Sequence, residues 1–173
     1  MKHILLLFLG FSLAVPSMAQ EVRMETSSDA SVYYFIRHAE KDRSDKSNRN
    51  PDLIQKCLLR AVKWSYVLEN VSFDAVYSTD YNRTKQTAQP TAEKNGLDIL
   101  IYDPRNIDAK SFLEKTKGQK VLVVGHSNTT PNFVNAVLGK EKYPQIDDSN
   151  NANLYIVTVS TSGEKSDSLI VVD

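Results

Sequence analysis

The sequence is short of the features that would staple, anchor or charge a small protein. Its single cysteine, Cys57, rules out a disulfide within the chain. No Cys/His cluster has metal-site spacing, and no metal or cofactor is expected. Neither sign of charge prevails: 21 basic residues balance 21 acidic ones. No basic block stands out, which argues against nucleic acid as a partner. Internal repeats are absent, and nothing marks a second domain.

Long apolar runs are also missing, with one exception at the N-terminus. Lys2 and His3 precede the run Ile4 to Val15, and Ser17-Met18-Ala19 follows with small residues at the two positions a signal peptidase reads. About a dozen residues is too few for the roughly 20 that span a bilayer. Residues 1–19 are therefore expected to be a signal peptide, cut between Ala19 and Gln20. The mature protein is expected to be exported, periplasmic or extracellular in a bacterium, without stable membrane insertion. Residues 20–30 are polar and aperiodic and read as a disordered lead-in. The remaining roughly 140 residues, 31–173, suffice for one sizeable core. Cys57 has leucine-rich neighbours and reads as a small buried apolar residue.

Strand and helix patterns alternate along this domain. Ser31 to Ile36 is β-branched and aromatic and stops abruptly at Arg37-His38. Pro51 is expected to open a helix with an apolar face of Ile54, Cys57, Leu58, Ala61, Val62, Ser65 and Leu68. Phe73 to Tyr77 reads as a strand, and Asn82 to Asn95 as a helix closed by Gly96. A strand is expected from Leu97 to Tyr102, then a helix capped by Asp108 and running to about Thr116. Lys120 to Val124 is the clearest buried strand, and a helix from Pro131 to Leu138 follows. Asn153 to Val159 and Ser168 to Val172 suggest a final hairpin with Gly163 in its turn. Tyr33, Tyr34 and Trp64 are expected in the core or on its margin. The alternation implies an α/β three-layer sandwich with a mostly parallel central sheet. Ligands collect beyond the carboxyl ends of such strands, where both His38 and His126 fall.

Three fragments carry chemistry. Arg37-His38-Ala39-Glu40 puts a guanidinium fork, suited to phosphate oxygens, beside an imidazole able to attack phosphorus. Gly125-His126-Ser127-Asn128 leaves the buried strand through a glycine turn that has no need of a histidine. Tyr77 to Ala88 passes from strand end to helix and places Arg83 in the first turn, where free amides favour an anion.

These fragments, in this order, resemble the motifs of the histidine phosphatase superfamily, also called phosphoglycerate-mutase-like. Arg37-His38-Ala39-Glu40 is similar to the RH(G/A) start, Ser78 through Ala88 to an S-x-x-x-R-x-x-Q-T-A stretch, and Gly125-His126-Ser127 to the third motif. The likeness spans essentially Val32 to Val159. It implies that His38 takes up the phosphoryl group, that Arg37 and Arg83 bind its oxygens, and that His126 lies against it and holds its charge. Phosphoryl transfer needs an in-line nucleophile and cations around the equatorial oxygens, which this set supplies without metal.

The likeness is incomplete. Leu53-Ile54-Gln55-Lys56-Cys57 stands where the family often has L-T-x-x-G. Ser127 stands where histidine acid phosphatases place an aspartate. For the proton donor, Asp103 is the first choice and Glu40 the second; both also fit ordinary loop carboxylates, and a substrate with a good leaving group would need neither. Lys41 and Arg43 add cations at the pocket mouth or belong to a solvated loop. Specificity is expected from loops around Asn48, Arg105 and Tyr143. The resemblance implies a phosphatase acting on a small phosphorylated substrate through a phosphohistidine. Phosphoglycerate-mutase-type transfer and a non-catalytic phosphate-ester-binding module are the alternatives. Sequencing the N-terminus of secreted protein should read Gln-Glu-Val from Gln20; a start at Met1 would refute the cut.

Overall fold

The computed structural model describes residues 30–172. The expected signal segment and nearly all of the expected lead-in lie outside them. The elements run β1 (Ser31–Arg37), α1 (Gln55–Val67), β2 (Ala75–Ser78), α2 (Asn82–Asn95), β3 (Ile99–Ile101), α3 (Ala109–Lys115), β4 (Lys120–Gly125), α4 (Thr129–Leu138), β5 (Asn153–Val159) and β6 (Lys165–Val171). The strands form one six-stranded sheet in the order β3-β2-β4-β1-β5-β6. β3, β2, β4 and β1 pair in parallel, whereas β5 and β6 are antiparallel additions at one side. The sheet is thus mixed and mostly parallel, flanked by helices.

Residue alternation divides the core between the two faces. Tyr33, Phe35, Val121 and Val123 pack with Phe133, Val134 and Val137 of α4 and with Phe112 of α3. Ile36, Val76, Leu122 and Val124 pack on the other face with Trp64 of α1 and with Ala88 and Ala92 of α2. Both faces of β4 are therefore covered, which explains its unbroken apolar run Val121 to Val124. Tyr33 and Trp64 are fully buried and Tyr34 lies at the margin, edge-on to Phe73.

Several boundaries differ from expectation. α1 begins at Gln55, not Pro51. The segment before it stays extended because it has other partners: Lys41 bridges Leu53, the Asp42 amide donates to the Asp52 carbonyl, and the Leu53 amide donates to Gln86 Oε1. The helix's buried residues are Cys57, Ala61, Trp64 and Ser65, while Ile54 and Val62 are exposed. β2 starts two residues late, because the Phe73 amide is taken by the Asn95 side chain rather than by a neighbouring strand. β3 keeps only three residues: the Leu97 amide closes the end of α2 on the Ala92 carbonyl. α4 begins at Thr129, so Pro131 occupies its first turn, where a missing N–H costs no helical bond. β6 begins at Lys165 rather than Ser168. α2 has the expected bounds, and Gly96 ends it in the left-handed conformation, φ 65°.

The exit from β4 is tightly packed. A Cβ on Gly125 would meet Thr130 Oγ1 at 2.7 Å and Tyr102 Oη at 2.9 Å. Gly125→Ala should cost about 1–3 kcal/mol in denaturant unfolding, through overpacking. An unchanged unfolding midpoint would show that the threonines and Tyr102 yield freely.

Candidate active site

The site is built by strand ends. Arg37 is the last residue of β1 and pairs in register with Gly125, the last of β4. The His38 amide extends this ladder by donating to the Gly125 carbonyl at 3.0 Å. His38 and His126 therefore emerge side by side, their ring centroids 5.4 Å apart and the rings edge to face. β2 lies on the far side of β4 and delivers Thr79, then Tyr81 and Arg83 at the start of α2. Arg37, His38, Tyr81, Arg83 and His126 line an open cleft of about 730 Å³ that also includes Lys41, Asp103, Arg105 and Asp148.

The hydrogen bonds fix the state of the His38 imidazole. Nδ1 lies 2.5 Å from the Ala39 carbonyl oxygen, which can only accept, so Nδ1 carries the hydrogen. Nε2 then holds a lone pair, and it accepts from Arg83 Nε at 3.2 Å. The backbone around the ring is tied down as well. The Ala39 amide donates to Thr87 Oγ1, and buried Asn151 donates to the His38 carbonyl at 2.7 Å. The result is an unprotonated ring nitrogen held in place beside a guanidinium.

His126 has the opposite tautomer. Its Nδ1 faces Arg83 Nη2 at 3.4 Å, so Nε2 carries the hydrogen and donates to Thr79 Oγ1 at 2.9 Å. Thr79 lies 2.9 Å from the Thr84 hydroxyl, which can in turn donate to the Tyr81 carbonyl. The Tyr81 ring stands edge-on to His126, and the Arg83 guanidinium lies 4.5 Å from its centroid.

Both imidazoles resist protonation. Burial is the main cause for His38, which falls to about 3 despite its bond to Ala39; His126, Arg83 and Arg37 lower it further. His126 falls to about 4, from burial first and then from Arg83, Arg37 and Lys41.

The two arginines are differently held. Arg37 is only 3% exposed and spends three hydrogen bonds on the loop after α4: Nη1 on the Asp147 and Asn150 carbonyls, Nη2 on Asp148 Oδ1. Its Nε is buried without a partner, as is Nη1 of Arg83. Unpaired buried guanidinium nitrogens are costly unless an anion satisfies them. The cleft thus sets guanidinium donors beside an imidazole lone pair, a combination that can bind an oxyanion.

The two expected carboxylates separate. Asp103 lines the cleft, where the amide and guanidinium of Arg105 and the Asn106 side chain hold it below the usual range. Glu40 lies outside the cleft and forms an ion pair with Arg60 of α1 at 3.0 Å. Burial pushes Glu40 up, but its own amide and Arg60 outweigh this, and its net shift is downward. Of the expected specificity positions, Arg105 lines the cleft, whereas Asn48 and Tyr143 do not. Thr79, Asn151 and Asp148 were not singled out from sequence. The run Asp147 to Asn151 was visible as polar residues, but nothing in it pointed to Arg37. No group of three or more potential metal-ligating side chains occurs among the described residues. None of their helices is long and apolar enough to cross a membrane.

Comparison with known proteins agrees with this architecture. Residues 33–105 match the sequence model of the histidine phosphatase superfamily (branch 1). The fold is similar to that of the protein histidine phosphatase SixA complexed with tungstate, at 16% identity and TM-score 0.64, covering 81% of this chain and 96% of that one. It is similar to phosphoglycerate mutase from Bacillus anthracis str. Sterne, at 16% identity and TM-score 0.60, with 84% and 95% covered. It is also similar to phosphoserine phosphatase from Entamoeba histolytica, at 14% identity and TM-score 0.60, with 80% and 96% covered. No curated protein matches the chain by sequence.

The pKa shifts can be tested on the free protein. In ¹⁵N-detected imidazole spectra, His38 should stay in its Nδ1–H form and His126 in its Nε2–H form as pH falls through 5. Ordinary titration of either ring near 6.5 would contradict the described burial. Linkage has a defined sign here, because the folded values are depressed. The stabilisation is complete above about 6.5 and is lost as pH falls toward 4 and 3.

Proposed function

We propose that the chain is an enzyme of the histidine phosphatase superfamily and hydrolyses phosphate monoesters through a phosphohistidine on His38. One observation carries this reading: the unprotonated Nε2 of His38 sits against Arg83 in a cleft lined by Arg37 and His126. The match over residues 33–105 supports it, and so does the fold shared with phosphatases and a mutase.

The chemistry takes two displacements. The Nε2 lone pair attacks phosphorus and the bond to the ester oxygen breaks, leaving a phosphoryl group on His38. Water then attacks the same phosphorus, the P–N bond breaks, and inorganic phosphate leaves with Nε2 restored. Arg37 and Arg83 bind the equatorial oxygens in both steps, where charge is spread over them. A bound dianion favours a proton on His126 Nδ1, turning that ring into a further donor to the phosphoryl group. Thr79 keeps it oriented by accepting from Nε2.

Each of the cleft's carboxylates is tied to a cation: Asp80 to Lys85, Asp103 to Arg105, and Asp148 to Arg37 and Arg43. Asp103 and Asp148 both lie below the usual range, Asp103 through Arg105 and Asp148 through Arg43, with burial opposing and Arg37 adding to the effect. The leaving oxygen therefore departs best when it needs no proton, which favours aryl esters and other substrates with good leaving groups. A protein histidine phosphatase is among the solved structures of similar fold, and that substrate class fits the same requirement.

Phosphate release from 4-nitrophenyl phosphate in EDTA tests the proposal. Wild type should turn it over far faster than an alkyl phosphate. His38→Ala should lose roughly 10³-fold or more in kcat, and Arg83→Ala about 10²- to 10³-fold. Unchanged turnover in His38→Ala would rule out the mechanism. Formation of 2-phosphoglycerate from 3-phosphoglycerate, with no phosphate released, would assign a mutase instead.

A further inference from the structure

The charges around the cleft do not balance once a phosphate is bound. Asp80 is paired with Lys85 and Asp103 with Arg105. Asp148 is shared between Arg37 and Arg43, which leaves that trio with one surplus positive charge. Arg83 has no carboxylate partner among the described residues and contributes a second. A phosphate-ester dianion matches these two. Lys41 remains: it lines the cleft, and among the described residues its ammonium has neither an ion pair nor a hydrogen bond.

Lys41 is not a freely solvated surface lysine. It sits three residues past the nucleophile, and its backbone is fixed by the bridge to Leu53. Its side chain is half-buried and lines the same cleft as Arg37 and His38. Burial pushes its pKa down, and so do Arg83 and Arg43, with Asp148 opposing. A strongly hydrated point charge held among like charges, with no carboxylate in ion-pair contact, gains most from a ligand anion. The oxygens of the phosphoryl group already face Arg37, Arg83 and His126 in the reading above.

We propose that Lys41 binds a second anionic group on the leaving portion of the substrate, so that the preferred substrates are phosphate monoesters carrying a further negative charge such as a carboxylate. This rests on the phosphatase reading of the cleft. It makes Lys41 a specificity residue for the leaving group, with no part in the displacement at phosphorus.

Three esters separate the effects: phenyl phosphate, 3-carboxyphenyl phosphate and 3-carbamoylphenyl phosphate, the last a neutral isostere of the second. Wild type should favour the carboxylate over the carboxamide roughly three- to tenfold in kcat/KM, the range of one partly screened ion pair. Lys41→Gln should abolish that preference while leaving phenyl phosphate turnover within about twofold. An equal loss on all three esters would overturn the proposal, because Lys41 would then serve the phosphoryl group alone. No preference in wild type would overturn it too. Calorimetry with the non-hydrolysable 3-carboxyphenyl- and 3-carbamoylphenylphosphonates gives the same comparison without turnover. An affinity ratio near one there defeats the Lys41 assignment, whereas a Lys41-dependent ratio with no ester hydrolysed defeats only the phosphatase reading.

Discussion

Two guanidinium groups and two imidazoles are crowded at the carboxyl ends of β1, β2 and β4. Such a cluster is tolerable only if part of it carries no charge. Burial and the neighbouring arginines keep His38 and His126 neutral, and Asp148 with two loop carbonyls absorbs much of Arg37. The same constraint that makes the cluster tolerable suits it to the proposed chemistry. A neutral imidazole is the form with a lone pair, and the remaining positive charge awaits an anion.

The surrounding structure serves that arrangement. Parallel pairing of β1 with β4 sets the two histidines side by side, and the hydrogen-bond ladder continues one residue past the strands to hold His38. Gly125 lets β4 leave the sheet beneath Tyr102, Thr129 and Thr130. The loop between α4 and β5 returns to clamp Arg37 through Asp147, Asp148 and Asn150, and His38 through Asn151. The antiparallel pair β5 and β6 anchors the far end of that loop against β1.

Much of this was legible in the residues. β4 declared itself by an apolar run that only two covered faces explain, and α2 by a helical pattern with a glycine stop. His38 and His126 could be paired because both follow strands of one parallel sheet. α1 starts later than its first-turn proline, Pro51, suggests, because the extended pairing of 52–53 with 41–42 is a tertiary effect with no local signal. Glu40 was plausible by its place in the chain, but Arg60 on α1 draws it out of the cleft. Thr79, Asp148 and Asn151 carry no local signal because each acts through a partner distant in sequence.

In the proposed reaction His38 becomes phosphorylated during turnover. Rapid quenching with a ³²P-labelled aryl phosphate, followed by proteolysis and peptide sequencing, addresses it directly. The label should survive base, be lost in acid, and map to the peptide containing His38, at Nε2. Hydrolysis that proceeds with no such label, or a label that maps elsewhere, would contradict it.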